Sequence, residues 1–379
     1  MGDSQIRNPF VISKSIPESL FCDRKEDTEC LIKQVENGRN VVLVSPRRMG
    51  KTQLIHHFFL QPAISEHYYT FFVDIYSATS LREMCYLLGR CVYEQLKPKA
   101  VQYRESFFQV LKSLRAGFKL DTVTGEPRFE LSLGAIDNPE TTLEEIFSYL
   151  ESSPMPCIVA FDEFQQISEF GDRRVEALLR GMIQQCSRTL FIFSGSKQHT
   201  ISQMFHSKSR PFYQSAQLMD LAPLDAVVYA DFAVRLFGQY GKSLDREVVS
   251  RVYDEYRGVT WYLQMMMNEL FALTAPGAVC TPSLLPTARR NIVDVQEGIY
   301  KTQLAMLSPR QKALLQAVAN EGEVKSVTSA AFIKAHALES ASSVQSALKA
   351  LVEKGIVSHE ETGYRVGDFF FAEWIRTAY

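Results

Sequence analysis

Ser45-Pro46-Arg47-Arg48-Met49-Gly50-Lys51-Thr52 follows directly on the apolar run Val41-Val42-Leu43-Val44, and this arrangement suits the binding of a phosphate chain. In the pattern G-x-x-x-x-G-K-[S/T], backbone N–H groups wrap the phosphates, a lysine reaches the β and γ oxygens, and a hydroxyl completes a Mg²⁺ shell. Gly50, Lys51 and Thr52 supply the second half of the pattern. Ser45 stands in place of its first glycine, and a serine fits there if its φ is negative. Gln53 to Phe59 can open a helix whose N-terminal dipole favours an anion, so the candidate phosphate contacts run from Ser45 to Gln53.

A second signal is Asp162-Glu163, at the end of the apolar run Cys157 to Phe161. At the C-terminal edge of a strand beside a phosphate loop, the Asp can hold Mg²⁺ and the Glu can polarise an attacking water. Alone, such a pair is an ordinary solvated turn; downstream of the loop, it points to hydrolysis of a nucleoside triphosphate. Ser194-Gly195-Ser196 ends the next strand, where Ser194 or Ser196 can sense a γ-phosphate or orient the water, or where the glycine simply makes a turn. Lys208 and Arg210 follow. The Arg210 guanidinium is a candidate for stabilising the transferring phosphoryl charge, the other reading being a solvated loop cation. Trp261 lies in a helical pattern and is read as core rather than as an adenine contact.

These residues need a frame that holds strand ends side by side. Tyr68 to Ile75, Cys157 to Phe161 and Leu190 to Ser194 read as buried strands, with Gln217 to Leu221 as a further one. Helical patterns over Leu81 to Leu96, Glu140 to Glu151 and Arg173 to Gln185 alternate with them. This alternation predicts an α/β fold, a parallel sheet sandwiched by helices. Residues 115–140 break the rhythm and read as a hairpin insertion around Thr124-Gly125-Glu126-Pro127. After Pro223 the strands are expected to stop, and Ala226 to Phe237, Arg246 to Arg257, Trp261 to Leu273 and Ala288 to Tyr300 read as amphipathic helices. Ser308-Pro309 then caps a third region. Helices over Arg310 to Asn320, Ala330 to Ala335 and Ala341 to Lys354, with strands Ile356 to Ser358 and Tyr364 to Val366 around a turn at Glu361 to Gly363, spell a winged helix-turn-helix. The expected division is 1–222, 223–300 and 301–379.

The whole chain, 379 residues with a net charge of −2, exerts no strong electrostatic pull on nucleic acid or anionic membrane. Seven scattered cysteines without a C-x-x-C pair argue against a disulfide framework or zinc site and for a reducing cytoplasm. Met1 to Phe10 lacks an apolar signal-like core, and no apolar run approaches the ~20 residues of a membrane span.

Phe21-Cys22-Asp23-Arg24-Lys25-Glu26-Asp27, the Ser45 to Thr52 loop, Phe161-Asp162-Glu163-Phe164-Gln165-Gln166-Ile167, Phe193-Ser194-Gly195-Ser196 and the segment Val366 to Arg376 together resemble the archaeal-type ATPase family of the STAND and AAA+ P-loop group. The resemblance covers nearly the whole chain. It implies a P-loop NTPase domain, a helical lid and a winged-helix domain, with ATP and Mg²⁺ as cofactors. It further implies Asp23 and Arg24 near the adenine, Lys51 and Thr52 on phosphate and Mg²⁺, and Asp162 and Glu163 as metal-holding and catalytic acids. Three positions depart from the family pattern: Ser45 replaces Gly, Ser215 occupies the Arg position of P-L-Y-G-R, and Gly258-Val259-Thr260 lacks the lid proline. Nucleotide binding therefore rests on more residues than rapid turnover does.

The leading expectation is a slow-hydrolysing ATP switch that relays its state to the winged helix, where a protein partner docks. A DNA-binding regulator is a second reading, and charge weighs against it: from Lys301 onward nine Lys or Arg face eight Asp or Glu, a balance of +1. A scaffold that holds nucleotide without hydrolysing it is a third, and an oligomer that lends an arginine fits any of them.

Overall fold

The computed structural model describes residues 8–12, 16–22, 24–96, 118–120, 127–129, 136–172, 174–360 and 362–378. Asp23, Arg173 and Glu361 lie outside them, as do the turn residues 124–126 and the stretch 130–135 of the expected hairpin. The chain divides into two compact units, Ser13–Leu224 and Asp225–Tyr379 together with the N-terminal segment ending at Ile12.

The first unit is built on short apolar strands: β1 (Val41–Val44), β2 (Tyr69–Asp74), β3 (Phe118–Leu120), β4 (Pro127–Phe129), β5 (Cys157–Asp162), β6 (Thr189–Gly195) and β7 (Gln217–Asp220). Five of them form one sheet in the order β2-β5-β6-β1-β7, and every pairing in it is parallel. β1 and β5 are buried along their whole length, as the unbroken apolar runs require of strands covered on both faces. β3 and β4 pair antiparallel in a sheet of their own, in the place of the expected insertion.

What the topology does for chemistry is set by register. Val44 pairs with Gly195, and Phe161 pairs with Phe193, so β6 lies between β1 and β5 with all three C-terminal ends at one edge. Beneath that edge Phe164 is fully buried, its ring 4.5 Å from Phe193 and edge-on to Phe212 at 5.2 Å. Phe161 and Phe205 complete the cluster.

In the second unit, helices Ala226–Gln239, Arg246–Glu255, Thr260–Leu273 and Leu285–Ala305 follow the expected patterns with ends shifted by a few residues. Asp225 and Asp245 cap the first two through their side chains. Strands do not stop after Pro223 as expected: β8 (Ser243–Leu244) and β9 (Val279–Cys280) make a two-residue parallel pair, too short to leave a period-2 signal. The N-terminal segment packs here, with Phe10 fully buried against Phe232, Phe237 and Phe271. Asn8 Nδ2 donates to Asn268 O at 2.9 Å, and Asn268 Nδ2 returns a bond to Phe10 O at 2.7 Å.

The same unit ends in a winged helix. Helices Pro309–Glu321, Ala330–Ala335 and Ala341–Glu353 precede the antiparallel wing β10 (Val357–Glu360) and β11 (Gly363–Val366). Ser308 and Gln311 form a reciprocal capping box at the first of these helices. A bridge from Val324 to Tyr364 widens the wing, and Gly363 sits where a Cβ would come within 2.6 Å of Val324 O. A final helix, Phe369–Ala378, closes the chain. No helix among the described residues is long and apolar enough to cross a membrane.

Removing the Phe164 ring leaves a cavity under the strand ends. Phe164→Ala is expected to lower stability by about 3–5 kcal/mol, read as a lower urea midpoint at unchanged slope; a midpoint equal to the parent's would contradict this role for the cluster.

Candidate functional site

The loop after β1 turns on two left-handed residues, Arg48 at φ 72° and Gly50 at φ 92°, before the helix Lys51–Leu60 starts. Gly50 supplies the positive φ at the helix N-cap without strain. Ser45 is not among the residues of positive φ, which is the condition for a serine to replace the first glycine. Pro46, Arg47 and Arg48 are exposed, while Ser45 and Met49 are buried and Gln53 is half-buried.

Lys51 turns its ammonium back into the loop, donating to Ser45 O at 2.8 Å, Ser45 Oγ at 3.0 Å and Pro46 O at 3.0 Å. The serine hydroxyl is an acceptor that the usual glycine lacks. Burial pushes the Lys51 ammonium down to about 8, against the opposing pull of the Glu163 and Asp162 carboxylates.

Asp162 is buried at the end of β5 and has both oxygens engaged. Thr52 Oγ1 donates to Oδ2 at 2.7 Å, while Ser194 Oγ, at 2.8 Å, and the Glu163 N–H, at 3.0 Å, donate to Oδ1. Thr52 and Asp162 thus bring a hydroxyl and a carboxylate oxygen side by side. Such hard oxygen donors suit Mg²⁺, which takes one or two protein oxygens and completes its shell with phosphate and water. Among the described residues no group of three or more His, Cys, Asp or Glu gathers in metal-holding fashion, so a magnesium ion here would need those outside ligands.

Glu163 takes a left-handed conformation, φ 56° and ψ 39°, at an expense of about 1–3 kcal/mol for a residue with a Cβ. The turn directs its carboxylate to the end of β6, where Ser196 Oγ donates to Oε2 at 2.8 Å and Gln165 Nε2 donates to the same oxygen.

Two expected site residues have other partners. Arg24 is buried, and its guanidinium donates to Met49 O at 3.1 Å, Ala222 O at 2.6 Å and Asp27 Oδ2 at 3.1 Å. It therefore braces the loop backbone from behind instead of presenting its charge to a base. Arg210 is hydrogen-bonded and ion-paired to Glu176, whose carboxyl burial pushes upward, and this pairing takes it out of the phosphate cluster. Sequence reasoning passed over one residue of the cluster, Gln165, quoted only inside a longer motif.

With ¹³Cε-labelled lysine, one resonance is expected to titrate near pH 8, well before the others, and to vanish in Lys51→Met. A Lys51 midpoint at the ordinary 10.5 would contradict the burial of its charge.

Residues 298–377 match the family model described as "Probable winged helix domain". Among solved structures, the chain is similar to a Walker-type ATPase of Pyrococcus abyssi, with a TM-score of 0.63 and 19% identity over 97% of this chain and 99% of that one. It is also similar to the ORC1 protein of Aeropyrum pernix solved in complex with DNA, with a TM-score of 0.53 and 14% identity over 97% and 96%. The ADP form of the ORC2 protein of Aeropyrum pernix gives 0.53 and 13% identity, again over 97% and 96%. No curated protein matches the chain. Its five-stranded parallel sheet, phosphate-type loop and C-terminal winged helix give the chain a fold similar to that of the Walker-type ATPase of Pyrococcus abyssi, the α/β fold with a C-terminal winged helix that the sequence predicted.

Proposed function

We propose that the chain binds Mg-ATP and hydrolyses it slowly, as a switch whose state is relayed to the winged helix. One observation carries this reading: a lysine ammonium, a threonine hydroxyl and an Asp-Glu pair converge at one edge of a parallel sheet, beside a helix N-terminus. Lys51 would exchange its three loop acceptors for the β and γ oxygens of the nucleotide. Thr52 and Asp162 would hold Mg²⁺, which when bound neutralises charge on those oxygens. Glu163 accepts the proton of a water as the water oxygen bonds to the γ-phosphorus, and the bond from that phosphorus to the bridging oxygen breaks, leaving ADP and phosphate. Ser194 holds Asp162 in place. Arg210 is paired with Glu176 and the family's arginine position is Ser215, so no arginine of that segment serves the developing charge, and turnover is slow.

For the winged helix, a protein contact is the better reading. Arg257 pairs with Glu323 and Glu360, and Arg365 pairs with Glu360 while lying over the Phe369 ring at 4.6 Å. Guanidinium groups engaged in this way are poor candidates for phosphate contacts. The similarity to an ORC1 protein solved with DNA keeps the DNA reading as the second one.

Lys51→Ala should abolish ATP binding in calorimetry, while Glu163→Gln should keep it and lose single-turnover hydrolysis by 100-fold or more, about what a general base contributes. Equal turnover by Glu163→Gln would sink the catalytic assignment of Glu163, and no turnover by the parent itself would leave a non-hydrolysing scaffold.

The binding constant should also follow pH. Below about 8 the Lys51 ammonium is already charged; above it, binding must first restore the proton, so affinity should fall by up to about tenfold per pH unit. A flat profile from pH 7 to 9.5 would argue against the Lys51 contact. The full chain should show no DNA retardation at 150 mM salt; a salt-sensitive shift would favour the DNA reading.

A further inference from the structure

The Glu163 carboxylate is held at one oxygen only. Ser196 Oγ, 2.8 Å away, the Ser196 N–H, 3.4 Å away, and Gln165 Nε2 all donate to Oε2, whereas no hydrogen bond to Oε1 is formed among the described residues. Gln165 is 3% exposed and sits at the start of the short 3₁₀ helix Phe164–Glu169, so its amide has little room to turn. Its own Oε1 is buried without a partner among the described residues, an arrangement that normally costs about 1–3 kcal/mol.

Gly195 explains why the amide can lie there at all. A Cβ built on Gly195 would stand 2.1 Å from Gln165 Oε1 and 2.8 Å from Ile201 Cδ1, so only glycine lets the Gln165 side chain pass over the end of β6. Three features without a role in binding phosphate therefore converge on one carboxylate oxygen: the left-handed turn at Glu163, the glycine at 195 and the buried amide at 165.

We infer that Gln165, seated against Gly195 and aided by Ser196, is a positioning residue that pins Oε2 of Glu163 so that Oε1 alone faces the attacking water. This rests on the reading of Glu163 as the base that accepts the water's proton. The pin acts on the orientation of a group already present and contributes nothing to nucleotide contacts, so its removal should appear in kcat and not in affinity.

The experiment uses the full chain with Gln165→Leu, which keeps size and removes the donor, and with Gly195→Ala, which displaces the amide while leaving it in the chain. Each is expected to lower kcat about 10- to 100-fold, with affinity for a fluorescent ATP analogue within about threefold of the parent. In the Glu163→Gln background, Gln165→Leu is expected to cost nothing further, because the group it positions is gone. A kcat unchanged in Gln165→Leu, an equal loss in the Glu163→Gln background, or a parallel loss of affinity would each overturn the inference. A second readout needs no turnover: the ¹³Cδ resonance of Glu163, measured without nucleotide, should move in both Gln165→Leu and Gly195→Ala. If Glu163→Gln hydrolyses ATP like the parent, the catalytic reading fails by itself, and an unmoved resonance then overturns the pin as well.

Discussion

A buried carboxylate is the constraint around which the first unit is organised. Asp162 is 7% exposed, and an ionised carboxyl at that depth costs several kcal/mol unless it is hydrogen-bonded. Its three donors come from separate pieces of chain: the helix that follows β1, the strand β6, and its own turn. They can meet only because β6 is inserted between β1 and β5. A slip of one residue in β6 would turn the Ser194 hydroxyl to the other face and leave Oδ1 with one donor fewer. The sheet order, the register and the charge of Asp162 therefore support each other, and the Phe161, Phe164 and Phe193 rings set them on a rigid floor.

Much of this was legible from residue types. Apolar runs with β-branched and aromatic residues located all five strands of the sheet, and alternation with helical patterns gave their parallel arrangement. Ser308 and Pro309 marked a helix start through local cap chemistry, where the partners are three residues apart. Motifs read through short-range geometry survive without any tertiary knowledge.

What stayed hidden depends on distant partners or on strain. Nothing in the local pattern of Arg24 distinguishes a guanidinium aimed at a ligand from one that bonds Met49 O and Ala222 O, the latter 198 positions away in the chain. Phe10 ends a stretch, Met1 to Phe10, that lacks an apolar core of its own, and only its cluster with Phe232, Phe237 and Phe271 shows which unit it belongs to. The left-handed turn at Glu163 runs against its residue type, so no propensity could announce it. Such departures gather where polar groups converge, as expected where local preference yields to a site.

The same convergence sets a bound on any switch. Lys51 holds three internal acceptors, Asp162 three donors and Glu163 a set of its own. A ligand changes the balance between two states only by its difference in affinity for them. Hydrogen bonds to charged groups contribute about 1.5–3 kcal/mol each, and a phosphate chain must replace several of them before it gains anything. Ser45 raises that threshold, since its hydroxyl gives the Lys51 ammonium an acceptor that glycine would not. The serine at the head of the loop thus gives the Lys51 ammonium one more acceptor to give up, and a ligand that recaptures that ammonium must carry enough charge to offset it.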